Sequence, residues 1–111
     1  MTDGQTWHLY ILRCDRKFLY TGITTDVARR VREHIEGGYK AAKFARMITD
    51  FQLIYSLQVG SKSLACSLEN RIKQLKKVDK ERIAARNMTL SQLTSFLKVN
   101  PDPGEQPGGN G

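Results

Sequence analysis

Apolar positions along the chain follow two different periods. Residues 7–14, WHLYILRC, are rich in aromatic and β-branched types and predict a strand; residues 18–24, FLYTGIT, predict a second. Asp15-Arg16-Lys17 is a polar turn between them, so the pair forms a hairpin. Residues 51–59, FQLIYSLQV, bounded by Gly60, predict a third strand. Elsewhere the period is helical. Val27, Val31 and Ile35 form the expected buried stripe of a helix that starts at an N-cap on Thr25 or Asp26 and runs to about Glu36, where Gly37-Gly38 stop it. Leu64, Leu68, Ile72 and Leu75 mark a longer helix over residues 61–77. Residues 79–87 read as a short helix or a continuation of it. Thr89 or Ser91 caps a last helix through Leu97, with Leu90, Leu93, Phe96 and Leu97 as its apolar face. Residues 39–47, YKAAKFARM, form a basic segment of one or two helical turns. The pattern predicts one small α+β domain over residues 7–98, three strands with helices against the sheet. Residues 1–6 are a short extension, and 99–111 a tail too rich in Pro and Gly to pack.

Composition narrows the function. The chain has 111 residues, enough for a single domain, with 18 Lys and Arg against 11 Asp and Glu. Two of those acids and no base lie in residues 100–111, so the body carries eighteen bases against nine acids. Such an excess favours a polyanion as partner, since Lys and Arg neutralise phosphates and release counterions; a basic surface kept for solubility is the plainer alternative. The apolar run Leu9–Leu12 is far too short to cross a bilayer. The N-terminal residues lack the basic and apolar segments of a secretory signal, and Cys14 and Cys66 lack metal-ligand spacing. A cytoplasmic protein without a membrane partner is expected.

Three groups of residues could carry chemistry. Tyr10 and Tyr20 lie in the two hairpin strands, and Gly22, a glycine inside a strand, marks a close approach of backbone or ligand. A three-residue loop at 15–17 pairs Leu12 with Tyr20 and Tyr10 with Gly22, putting both phenols on one face; a two-residue loop separates them. Otherwise both are ordinary half-buried strand aromatics. Arg30 and His34, four apart, form a row beside the Val27–Val31–Ile35 stripe, where an arginine presents a cationic fork to phosphate or pairs with an acid. Glu69 is the only acid between Asp50 and Asp79. One carboxylate with waters and a substrate phosphate is a common way to hold Mg²⁺, whereas the i+4 spacing to Lys73 suits a surface ion pair.

The ordered set His8-Leu9-Tyr10, Tyr20-Thr21-Gly22, Arg30, His34 and Glu69 resembles the GIY-YIG nuclease domain over roughly residues 7–85. WHLYILRC and LYTGITTDVARRVREH are similar to its small stand-alone bacterial branch, the YhbQ-like proteins. The resemblance implies a three-stranded antiparallel sheet flanked by helices and hydrolysis of DNA phosphodiesters with one divalent ion. It makes Tyr10 and Tyr20 the two motif tyrosines and Gly22 the closing glycine. Arg30 becomes the catalytic arginine, His34 its accessory residue one turn later, and Glu69 the metal-binding glutamate. The sequence departs from the motif in His-Leu-Tyr for Gly-Ile-Tyr and Tyr-Thr-Gly for Tyr-Ile-Gly. Ile23 stands where some relatives have a lysine, and Phe44 where close relatives carry a tyrosine.

On this reading Glu69 holds one Mg²⁺ or Mn²⁺, and Tyr10 activates the attacking water while Tyr20 orients that water or shares its proton. Arg30 stabilises charge on the phosphate, and His34 bonds phosphate or positions the nucleophile. Gly22 admits the substrate. Lys40, Lys43 and Arg46, with Phe44 among them, form a strand-tracking patch or simply a solvated basic face. The expectation is a deoxyribonuclease, monomeric or weakly dimeric, serving DNA repair or a damage response, without an organic cofactor. Its rivals are a non-catalytic nucleic-acid-binding module on the same fold and a protein-interaction domain using the long helix.

Overall fold

The computed structural model of the chain describes residues 5–36 and 50–99. The basic segment 39–47 and the tail from residue 100 lie outside the described residues. Three strands, β1 (Trp7–Cys14), β2 (Phe18–Thr24) and β3 (Phe51–Gly60), form an antiparallel sheet in the order β2-β1-β3. The first two have the expected bounds, and the third runs one residue further. Four helices follow among the described residues: α1 (Val27–Ile35), α2 (Lys62–Lys73), α3 (Lys77–Ala85) and α4 (Leu90–Leu97).

The hairpin turn decides which side chains share a face. Lys17 N–H donates to the Cys14 carbonyl at 2.9 Å, closing a turn whose central residues, Asp15 and Arg16, have φ of 50° and 60°. Positive φ at both positions matches the twist of the flanking strands. Lys17 remains as an extra residue, so Cys14 pairs with Phe18, Leu12 with Tyr20 and Tyr10 with Gly22. This is the parity of a three-residue loop. The Asp15 N–H donates to the Asp50 carbonyl at 2.7 Å and its carboxylate accepts from the Asp50 N–H at 2.9 Å, tying the turn to the start of β3.

β1 is central and buried on both sides, which is why four consecutive residues, Leu9 to Leu12, have no solvent exposure. Leu9 and Ile11 join Tyr55 and Val59 of β3 and the apolar faces of α2, α3 and α4 in the main core. Tyr10, Leu12 and Cys14 point the other way and pack with Tyr20, Phe51 and, from α1, Val27 and Val31. The caps are local. Asp26 accepts from the Arg29 N–H, Ser61 from the Leu64 N–H, and Thr89 forms a capping box with Gln92.

Two expectations are corrected. The long helix does not continue to residue 77: α2 ends at Lys73 with Gln74 as its C-cap, and residues 77–85 form a separate helix. A helix uninterrupted from Lys62 to Ala85 would be about 36 Å long, while the eight residues of β1 span about 27 Å. The break folds α3 back, burying Ile83 and bringing Glu81 to Arg13 in a bidentate pair at 2.9 and 3.0 Å. On α1 the stripe against the sheet is Val27, Val31 and His34, while Ile35 is 60% exposed.

Candidate active site

The smaller face of the hairpin builds an aromatic cluster. Tyr10 and Tyr20 sit diagonally across the strand pair, with ring centroids 6.2 Å apart. Gly22 lies opposite Tyr10, and the phenol lies directly against it. A Cβ at position 22 would stand 2.6 Å from the Tyr10 hydroxyl and 2.7 Å from Cζ, closer than carbon atoms pack. The glycine therefore serves the tyrosine of its own site. Tyr10 is fully buried, while Tyr20 is only partly covered.

His34 is the hub of the cluster. Its Nε2 lies 3.3 Å from the Tyr10 hydroxyl, and its ring meets Tyr20 edge-on at 5.2 Å and Phe51 at 5.4 Å. These contacts explain why histidine rather than Ile35 turns inward: aromatic packing and a hydrogen bond offset the desolvation of the imidazole. Burial, reinforced by the nearby Arg30 charge and partly offset by Glu33, holds its pKa below the ordinary 6.5. His34 is thus neutral at pH 7, and in the tautomer protonated at Nδ1 its Nε2 accepts from the Tyr10 hydroxyl. Arg30, one turn earlier, is half-buried and donates to Glu33 at 3.0 Å, with Arg29 3.9 Å from the other carboxylate oxygen. The i+3 spacing of Arg30 and Glu33 is the sequence signal for this pair. Phe51 was missed because its facing depends on the irregular register between β1 and β3 near Ile11 and Leu12.

Glu69 comes from the other side of the sheet. On α2 it lies next to fully buried Leu68 and four residues beyond fully buried Ala65, at the border of the core, with its side chain 18% accessible. Its carboxylate pairs with Lys73 Nζ at 3.2 Å. Arg71, about 160° round the helix from Glu69, reaches the Leu97 carbonyl on α4, so Glu69 faces away from α4. Among the described residues no hydrogen bond or ion pair joins Glu69 to the aromatic cluster. The structure thus brings Tyr10, Tyr20, Gly22 and His34 together and sets Arg30 one turn away, while Glu69 pairs with Lys73 on α2. Lys40, Lys43, Phe44 and Arg46 lie outside the described residues.

Glu69 suits one kind of metal. Among the described residues there is no group of three or more His, Cys, Asp or Glu side chains able to cage an ion. A single carboxylate instead fits a hydrated hard cation such as Mg²⁺ or Mn²⁺, completed by water and substrate oxygens. Two further reactive groups among the described residues are silent. Burial, with Asp15 and Asp50 nearby, pushes the Cys14 thiol up to about 11, so it is no nucleophile at neutral pH. Burial raises Tyr55 to about 12 on the opposite face, where its hydroxyl donates to the Met88 carbonyl at 2.6 Å. No helix among the described residues is long and apolar enough to cross a membrane.

Comparison with known proteins identifies the family. The GIY-YIG catalytic domain family matches residues 6–82. The UPF0213 protein YhbQ of Salmonella arizonae is 47% identical over 93 residues, 84% of this chain and 91% of its own length. The UPF0213 protein YE0453 of Yersinia enterocolitica is 45% identical over 102 residues, covering 92% of this chain and all of the relative. The solution NMR structure of the UPF0213 protein BH0048 from Bacillus halodurans aligns with a TM-score of 0.48 at 33% identity, over 86% of this chain and 99% of that one. On the span of the family match and the identity to the Salmonella and Yersinia proteins, the chain belongs to the GIY-YIG family of nuclease-type catalytic domains.

Proposed function

We propose that the protein is a divalent-metal-dependent nuclease that hydrolyses DNA phosphodiester bonds with a single ion. The observation that carries this reading is the grouping of two tyrosines and a neutral histidine, one phenol seated against Gly22, with a guanidinium one turn away. Glu69 would hold the ion, which when bound supplies Lewis-acid polarisation of the phosphate and charge stabilisation at the leaving oxygen. Tyr20, the less buried phenol, meets the attacking water. A phenol of pKa about 10 acts as a base near neutrality only where positive charge favours its anion, and Arg30 contributes that charge. Burial gives Tyr10 a different share from the one expected of it: its hydroxyl, held against His34, fixes the cluster and not the water. Arg30 exchanges Glu33 for the phosphate and opposes the charge that builds there. The body's excess of Lys and Arg favours nucleic acid as the substrate.

A second reading, a binding module without turnover, is favoured by the burial of Tyr10 and by the Lys73 pairing of Glu69. Supercoiled plasmid incubated with purified protein and Mg²⁺ or Mn²⁺ separates the two. The nuclease reading expects nicking by the wild type. It also expects losses of at least about a hundredfold in Arg30→Ala and in Glu69→Gln, with DNA binding retained in the latter. Binding by the wild type with no cutting under either ion overturns it in favour of the module.

A further inference from the structure

The chemistry proposed above uses Glu69 but gives no part to the residue that touches it. Lys73 follows one turn later on α2, with Nζ 3.2 Å from Glu69 Oε2. The two side chains differ in exposure: that of Glu69 is 18% accessible and that of Lys73 51%. The carboxylate is therefore fixed at the core border, and the ammonium sits on a flexible stem at the rim. An ammonium at this distance uses carboxylate lone pairs that a metal ion would need. Any phosphate brought to an ion on Glu69 also comes within reach of a four-carbon side chain already seated there. Lysine suits this double duty, being a compact point charge that re-aims without a fixed fork geometry.

We propose that Lys73 is the second charged residue of the Glu69 site: it neutralises the carboxylate in the absence of the ion, yields it to a divalent cation, and then binds the phosphate of the nucleic-acid substrate. This rests on Glu69 being the metal ligand. Lys73 is accordingly a substrate-positioning residue whose loss acts in opposite directions on the two ligands.

The test measures Mn²⁺ binding to the full chain by the electron paramagnetic resonance of free Mn²⁺. It also measures DNA binding with Ca²⁺ in place of Mn²⁺, over a range of salt. Lys73→Met tightens Mn²⁺ binding about two- to fivefold, the scale of an exposed ion pair. The same variant weakens DNA binding about threefold or more and lowers the log–log salt slope by about 0.9. Lys73→Arg restores the DNA affinity, and unchanged melting temperatures show that both variants fold. A structural surface lysine would not move the two affinities in opposite directions. Either effect missing in Lys73→Met, while Glu69→Gln abolishes Mn²⁺ binding, overturns the proposal and leaves Glu69 as the ligand. Wild-type Mn²⁺ affinity in Glu69→Gln brings down the metal reading itself, and this proposal with it.

Discussion

Gly22 is the residue on which the aromatic cluster most plainly depends. Its missing Cβ leaves room for the Tyr10 ring, so Gly22→Ala displaces a fully buried phenol. The expected cost is about 1–3 kcal/mol of stability and about a hundredfold in cleavage rate, the scale of a small misplacement in an active site. Chemical denaturation and the nicking assay read the two. Because the clash is with the ring, the stability costs of Gly22→Ala and Tyr10→Leu combined are smaller than their sum, and the rate stays low. His34 supplies a second prediction. Its folded pKa lies below the ordinary 6.5, so in the window just beneath that value the unfolded chain binds a proton that the folded one does not. Stability therefore falls as pH drops below about 6.5, and thermal melts of His34→Gln show a shallower fall over the same range. At this scale the sequence was informative where spacing decides: Tyr10, Tyr20 and Gly22 follow from turn parity. The burial of Tyr10 was not legible, since it depends on how α1 is rotated over the sheet, and Ile35 pointed to the wrong rotation.

Elements were legible wherever a local signal exists. Asp26 and Thr89, each one of the two cap residues the sequence offers, cap their helices, and Ser61, where the long helix is expected to begin, caps α2. The start of α3 has no such marker. Lys76 makes no side-chain cap bond, and no Gly or Pro separates α2 from α3, so periodicity carried the helix through a break that tertiary packing imposes. What rewards the break is partly Arg13–Glu81, which joins the central strand to α3 from residues 68 apart. The bidentate bond to Arg13 holds the Glu81 carboxyl below its ordinary 4.5 and the guanidinium above its own value. Glu81→Gln should cost about 1 kcal/mol, read as a lower denaturation midpoint with an unchanged slope. The contribution is present above pH 4.5 and lost as pH falls through the depressed value, so wild type and Glu81→Gln converge in stability in acid.

At the scale of the molecule, the sheet separates two jobs. One face carries the main core under α2, α3 and α4; the other carries Tyr10, Tyr20 and His34 under α1. The fold class, the sheet and the signature residues could be read from the chain. No spacing encodes a relation between Glu69 and the aromatic cluster, which sit on helices at opposite faces of the sheet, and the proposed nuclease chemistry requires one. That relation is the central claim. Mn²⁺ bound at Glu69 is paramagnetic and broadens nuclear resonances around it, so NMR spectra of the protein titrated with Mn²⁺ report which residues share its surroundings. Broadening of the Tyr20 and Gly22 amides, the His34 ring and the Arg30 side chain, absent in Glu69→Gln, is the predicted result. Broadening confined to α2 around Glu69 would contradict a common site.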